Sequence, residues 1–557
     1  MSLISGGAMK TRNIYNILIV AILMLFLAGC GGQPKSKKKK IEPAQPIQLD
    51  RTISDLAEFV SFNPIPVKGI GLVVGLSNTG SAECPPAIRD YLRQYILAQV
   101  GHGKTVNPDM MINSMDTAVV LVEGFIPAGA VKQKAFDVSV KALPNTQTTS
   151  LAGGRLYTTE LKLVGRVEET IMASKTLAFA AGAVYIDNIA EPKPDQRVGY
   201  VLGGGKVIQS HQILLALFRP DFRAAAAIRN RINGRFGRDT ATAASESIIY
   251  LSLPGEFKDR KERLIELVKA LYISSTAVAE DSRINSLVEK LKTEPEKEKY
   301  ETGLEAIGKP AVDRLLPLLE SEDLQTKFSA ARCLLNIGDD RALKYLREFA
   351  QDRASPIRLT AIEAVGNAGQ KRDCIALMSR IVRDEDFNVR YTAYKFLQKY
   401  DDTSIVRTTV AQDFYIDEVL ELAPKTVYVS RKTEPRIVLF GAPIDCEKDI
   451  FIESDDGQII INSLADENRI SIMRKHPVTG ELMGPLKTSF RLADVIKILG
   501  DESAPEDEKQ RSGLGVPYSQ IVELLKKMCE KGAVKAEFVA GPLTPLAQPP
   551  QPSSQKQ

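Results

Sequence analysis

The sequence predicts an α+β body split in two by an inserted all-α solenoid. Three observations carry that expectation. Strand-like and helix-like patterns alternate through residues 51–275. A helical motif then recurs at intervals of 31 and 32 residues inside residues 276–422. Strand patterning returns over residues 423–540, and a Pro- and Gln-rich tail at 541–557 carries too little apolar sequence to fold.

The chain begins with an export pattern. Lys10 and Arg12 form a short basic region, residues 14–26 are nearly all apolar, and Leu27-Ala28-Gly29-Cys30 follows. A basic start, an apolar middle and small residues before a cleavage point make residues 1–29 a secretory signal. The apolar run falls well short of the roughly 20 residues that span a bilayer. Leu-Ala-Gly-Cys resembles the lipobox of bacterial lipoproteins, which implies cleavage before Cys30, acylation of that cysteine and a membrane anchor. An ordinary signal peptide that happens to end in Cys is the alternative. Gly31 gives no inner-membrane retention cue, which points to the outer membrane. Residues 30–50 form a Lys- and Pro-rich linker that reaches about 60 Å when extended. Its lysines are a solvated spacer or touch anionic lipid or peptidoglycan.

Composition excludes several classes. A net charge of +4 on 557 residues leaves no nucleic-acid footprint. There is no Trp, and the only histidines are His102, His211 and His476. Cys30, Cys84, Cys333, Cys374, Cys446 and Cys529 include no C-x-x-C pair and have no His nearby in sequence, so zinc spacing is absent. No metal, cofactor or catalytic residue is expected.

In residues 51–275 the run Gly69-Ile70-Gly71-Leu72-Val73-Val74-Gly75 could be taken for a dinucleotide loop. Its spacing is one residue too long, and the prolines of residues 62–68 argue against a preceding strand. Gly203-Gly204-Gly205-Lys206 lacks the rest of a phosphate loop. These glycines read as devices for turns and close packing. Strands are expected at 117–122, 136–143 and 247–253, and helices at 89–100, 222–236 and 258–272. Asp137, Glu160 and Asp221 read as turn, cap or ion-pair residues.

Four motifs in order resemble the flagellar P-ring protein family. They are the Gly69 to Gly80 run, Asp137-Val138-Ser139-Val140 with Gly153-Gly154 and Thr159, Arg219-Pro220-Asp221-Phe222, and the strand ending Leu253-Pro254. Ser81 stands where the family usually has an acid. Lys132-Gln133-Lys134 replaces an Arg-containing loop, and the resemblance makes Lys132 and Lys134 a contact loop toward the rod or a neighbouring subunit.

The repeats of residues 276–422 look like a HEAT-type solenoid. Thr326-Lys327-x-x-Ala330 is echoed by Ile357-Arg358-x-x-Ala361 and Val389-Arg390-x-x-Ala393. Ile307-Gly308, Ile337-Gly338 and Ala368-Gly369 close the second helices. The small residue lets helices approach. The basic residue is expected to pair with an acid of the adjacent repeat, forming a ladder. A plain helical bundle is the alternative.

The last part is expected to hold strands at 426–430, 436–440, 450–453, 459–462 and 534–539, and helices at 492–499 and 518–530. Val427 to Arg431, Ile437 to Gly441 and Leu514-Gly515-Val516-Pro517 resemble the C-terminal part of the same family, so the P-ring-type body would be the one that is split. The resemblance also implies a Cys446–Cys529 disulfide, with two small buried thiols as the alternative.

The function implied is structural. The family builds a homo-oligomeric periplasmic ring around the flagellar rod at the peptidoglycan layer, meets the outer-membrane L-ring, and uses a periplasmic assembly chaperone. A non-flagellar envelope scaffold that reuses the fold is the alternative. An enzyme would need clustered acid, base or metal ligands, which the sequence does not offer.

Overall fold

A computed structural model describes residues 51–60, 62–99, 107–163, 175–190, 192–274, 276–420, 424–476, 480–502 and 513–543. Cys30, the signal and the linker lie outside the described residues, as does His102.

The first part is built on a closed antiparallel barrel. Its strands are β2 (Ile65–Val74), β3 (Thr117–Ile126), β4 (Ala135–Ala142), β5 (Arg155–Leu163), β6 (Thr176–Ala183) and β7 (Val198–Val207), ordered β2-β3-β4-β7-β6-β5. Period-two patterning fills it: Ala118, Val120 and Val122 of β3 and Val138 and Val140 of β4 are all fully buried in the barrel core. Leu72 and Val119 bury on the outer face instead, beneath α1 (Pro86–Gln99) and α2 (Pro108–Ile112).

The glycine run is a strand, which corrects the expectation that prolines would prevent one before it. Pro66 pairs with Phe125 at the second position of β2, ahead of Val67, where pairing with β5 begins. The glycines serve the barrel seam: a Cβ on Gly69 would lie 2.1 Å from the Glu160 carbonyl oxygen, and one on Gly71 2.2 Å from Thr159 Oγ1. Close approach of two strands therefore requires glycine there.

A small sheet ordered β1-β8-β10-β9 follows, from β1 (Ala57–Phe59), β8 (Ile213–Leu217), β9 (Ala241–Ala243) and β10 (Ile248–Leu251). Its core is shared with α3 (Phe222–Phe236) and α4 (Lys261–Ala270), which bury Ile228, Ile232, Leu264 and Val268. Asp221 caps α3 by accepting the Arg223 amide at 2.8 Å.

The repeats form α5 (Ala277–Thr293), α6 (Lys297–Ile307), α7 (Val312–Leu315), α8 (Leu324–Ile337), α9 (Leu343–Gln351), α10 (Arg358–Ala368), α11 (Lys371–Ile381) and α12 (Phe387–Lys399). Asp323 and Asp386 cap α8 and α12 through their carboxylates. Gly308 and Gly338 follow α6 and α8 with φ of 86° and 97°. Ala330, Ala361 and Ala393 are fully buried, as close helix approach requires.

The helices stop at Lys399, so the last residues of the expected insert are not helical. β11 (Ile405–Val410) and β12 (Phe414–Leu420) belong to the C-terminal sheet. Ile405, Val406, Thr408, Thr409 and Val410 are β-branched, and that local preference decides the strand.

That sheet runs β11-β12-β14-β13-β19, with β13 (Thr426–Val429), β14 (Arg436–Ala442) and β19 (Glu537–Ala540). β12 lies parallel to β14 and β13 parallel to β19. Every residue of β14 is buried. Val438 and Phe440 pack into the solenoid core, while Ile437 and Leu439 pack with α13 (Leu492–Gly500) and α14 (Tyr518–Glu530). A second antiparallel sheet holds β15 (Ile450–Glu453), β16 (Ile459–Ser463), β17 (Ile470–Lys475) and β18 (Leu482–Thr488).

Candidate assembly surfaces and the junctions that hold them

The solenoid joins the C-terminal sheet through a buried carboxylate. Asp417 on β12 is fully buried and accepts from Tyr394 Oη at 2.6 Å and Arg407 Nε at 3.0 Å, and it pairs with Arg436. Burial, then the neighbouring Asp417 charge, pushes the Tyr394 hydroxyl far above its usual range. Burial opposes the Arg436 charge, but Tyr394 and Asp417 outweigh it and raise its pKa. Above this network Phe387, Tyr391 and Tyr394 pack on Tyr428 and Phe440, the tightest pair being Tyr391 and Tyr428 with centroids 4.6 Å apart.

The other end of the solenoid is tied to the first part. Glu301 and Glu305 of α6 are buried. Arg263 of α4 pairs with Glu305 and donates to Thr302 Oγ1 at 2.9 Å. Arg235 of α3 donates to the Glu305 and Ala306 carbonyls at 2.8 and 3.0 Å. Glu301 accepts from Arg332 Nε at 2.6 Å and from its Nη2 at 2.7 Å. Burial nevertheless dominates and lifts its pKa.

The expected basic ladder forms only in part. Arg358 pairs with Asp384 of the next repeat. Lys327 instead lies over the Tyr345 ring, 5.3 Å from its centroid. Arg390 has no further repeat to meet and donates to Thr426 Oγ1 on β13 at 2.8 Å. The same sequence position therefore becomes a strut where the stack ends.

The barrel also meets the C-terminal part. Arg155 reaches Asp413 at 2.9 Å, and Arg431 reaches Asp187 at 2.8 Å. Gly203 has φ of 64°, and a Cβ there would lie 1.8 Å from the Thr433 carbonyl oxygen. Between these contacts is a cleft of about 180 Å³, lined among others by Gly153, Tyr185, Phe414, Pro517 and Tyr518.

The residues singled out from sequence are dispersed. Asp137 accepts the Gly203 amide at 2.7 Å, and Glu160 lies 3.2 Å from Lys162. His211 lies in the link between β7 and β8, and His476 beside the β17–β18 turn. Among the described residues no group of three His, Cys, Asp or Glu side chains could hold a metal. Ser81, the departure from the family pattern, is buried, and its hydroxyl accepts the Glu83 amide at 3.1 Å. Glu83 in turn accepts the Gln147 amide at 2.9 Å, so an acid two residues on braces that loop.

Lys132 and Lys134 are exposed on the β3–β4 turn. Cys446 and Cys529 are both thiols in this structure. Cys446 forms a bridge with Val534, just beyond α14, and burial pushes its thiol up to about 12; burial pushes Cys529 up to about 11.

The fold defines a mixed α+β protein with a barrel and a helical-repeat module. Residues 52–286 match the flagellar P-ring protein family and residues 284–366 match HEAT repeats, so the chain carries a region similar to the flagellar P-ring family followed by a HEAT-repeat region. Similar proteins include a flagellar P-ring protein of Nitrosospira multiformis, 30% identical over 236 residues, covering 40% of this chain and 59% of that one. One from Albidiferax ferrireducens is 28% identical over 293 residues, covering 49% and 70%. One from Thermotoga maritima is 28% identical over 237 residues, covering 40% and 66%. The chain thus spans 59% of the first of these relatives. The family match ends at residue 286, before the C-terminal motifs.

Proposed function

We propose that this chain is a structural subunit of the flagellar basal-body P-ring. It forms a homo-oligomeric periplasmic bushing around the rod at the peptidoglycan layer, beside the L-ring, with help from an assembly chaperone. Acylated Cys30 ties it to the outer membrane, and the helical repeats offer a docking face. The observation that carries this reading is the family match over residues 52–286, which takes in the barrel and the small sheet. Lys132 and Lys134 belong to the contact loop, and residues 423–540 complete the split body.

The test is cryo-electron tomography of motors in wild-type cells and in cells lacking the gene. Loss of the periplasmic ring density is expected. Unchanged motors would reject the P-ring reading in favour of an envelope scaffold. Replacing Cys30 with Ser should move the protein from the membrane to the soluble periplasmic fraction, and an unchanged distribution would reject the lipid anchor.

A further inference from the structure

We propose that two oppositely charged surfaces, at opposite ends of the barrel, join neighbouring copies of this chain head to tail. The proposal rests on the ring reading above and names the surfaces that would build the ring.

The head is where the β3–β4 turn meets the end of β7 and the start of β6. The Gln133 amide donates to the Val207 carbonyl at 2.8 Å, Val207 to Lys134 at 3.2 Å, and Ile208 to Leu177 at 3.1 Å. Those bonds gather Lys132, Lys134, Lys175 and Lys206, all exposed. Lys175 Nζ donates to Gln209 Oε1 at 3.2 Å, and among the described residues no carboxylate pairs with any of the four. Val131, 54% exposed, gives this cationic surface an apolar residue beside Lys132.

The tail lies beyond the opposite ends of β6 and β7. The segment joining those ends carries Asp187, Asn188 and Lys193, which meet Arg431, Glu523 and Asp455 at 2.8, 3.1 and 3.9 Å. Asp455 lies two residues past the end of β15, and β15 is an edge strand of its sheet. Ile450 and Ile452 face inward, so Phe451 and Glu453 share the outward face, and Asp449, exposed and with φ of 57°, stands just before the strand. Phe451 is 61% exposed and stands opposite Asn462; Leu464, two residues further along, is 57% exposed. Phe451 is thereby flanked by the exposed carboxylates of Asp449 and Glu453, which outnumber the neighbouring Lys448.

An apolar centre with a charged rim is the make-up of a docking surface. The two rims carry opposite signs, which favours encounter between them and disfavours each meeting its own kind. A contact between two different patches closes into a ring or continues as a fibre. Patches at opposite ends of one barrel suit that contact, whereas a two-fold dimer at the head would set lysine against lysine.

The test uses the full lipidated chain in detergent, with self-association measured by sedimentation velocity and by cross-linking in cells. Lys132→Glu with Lys134→Glu should weaken association about tenfold, as should Asp449→Lys with Glu453→Lys. Combining all four should restore it to within about threefold of wild type, because the signs are exchanged on both faces. Phe451→Ser, at an exposed position, should weaken association without lowering Tm, and serves if the acidic-face variant does not fold. Wild-type association in the single-face variants and in Phe451→Ser would overturn this interface and leave the ring reading standing. So would a four-fold variant no better than its parents. A wild-type chain that never self-associates in cells would overturn the ring reading, and the interface with it.

Discussion

Tyr394, on the last helix of the solenoid, donates to Asp417 on the second strand after it, Oη to Oδ2, at 2.6 Å. That contact joins a repeat module to a sheet through a carboxylate with no access to water. Arg407 and Arg436 complete its partners. At the entry side Arg263 and Glu305 make the corresponding tie. The helical insert is therefore fixed at both ends.

The two partners of that contact should differ in cost when removed. Tyr394→Phe deletes one hydrogen bond but leaves Asp417 with its arginines, and is expected to cost about 1–2 kcal/mol. Asp417→Ala leaves buried Arg436 with Glu434 alone and takes the carboxylate from Arg407, and is expected to cost about 3–5 kcal/mol. Urea melts followed by circular dichroism would compare them. A milder effect for Asp417→Ala than for Tyr394→Phe would mean that the arginines are satisfied elsewhere.

The place where the insert is cut should decide whether the rest folds. Deleting residues 280–420 also removes β11 and β12, leaving β14 without its parallel partner. Deleting only 277–399 keeps those strands but exposes Val438 and Phe440 and strips Tyr394 from Asp417. Both shortened chains should lose the C-terminal sheet, read as loss of amide protection in β13 and β14 while the barrel strands stay protected. A shortened chain that keeps protection in β14 would show that the sheet does not depend on the solenoid.

Much of this was legible in the sequence, and the exceptions have physical causes. Phe222–Phe236, Ile450–Glu453 and Tyr518–Glu530 begin and end where the residue patterning places them. The repeat register located Ala330, Ala361 and Ala393 in the solenoid core. It also carried the helical reading past Lys399, although Ile405–Val410 is a β-branched run, because a repeat pattern says where units recur and not where the last one stops. β5 to β8, β17 and β18 went unread: Gly203, Gly204 and Gly205 in β7 and Gly484 and Pro485 in β18 give a composition more typical of a turn than of a strand. Asp417 carried no signal at all. Its importance comes from Tyr394, Arg407 and Arg436, which only the tertiary fold brings to it.

The glycines that resemble a nucleotide loop should act as seam residues. Gly69→Ala sets a methyl group against the Glu160 carbonyl, and Gly203→Ala adds left-handed strain to a clash with Thr433. Each should lower stability by about 1–3 kcal/mol. Gly234→Ala, with open space around its Cβ position inside α3, should be neutral or stabilising by up to about 1 kcal/mol. Thermal melts would rank the three, and a neutral Gly69→Ala would deny that the seam needs glycine.

The thiols predict how stability changes in alkali, and the sign can be worked out. Burial pushes Cys374 and Cys446 up to about 12 and Cys529 to about 11, from an ordinary 9.0. Between pH 9 and 11 the unfolded chain therefore releases protons that the folded chain keeps, so stability falls as pH rises through that window. In reductant, Tm should drop steadily from pH 9 to pH 11. A Cys446–Cys529 disulfide, formed after export into an oxidising compartment, would remove two of these groups from titration. The drop without reductant should then be shallower, and alkylation in denaturant should label neither Cys446 nor Cys529. Equal slopes with and without reductant, together with two labelled thiols at these positions, would exclude the disulfide and leave the pair as buried thiols.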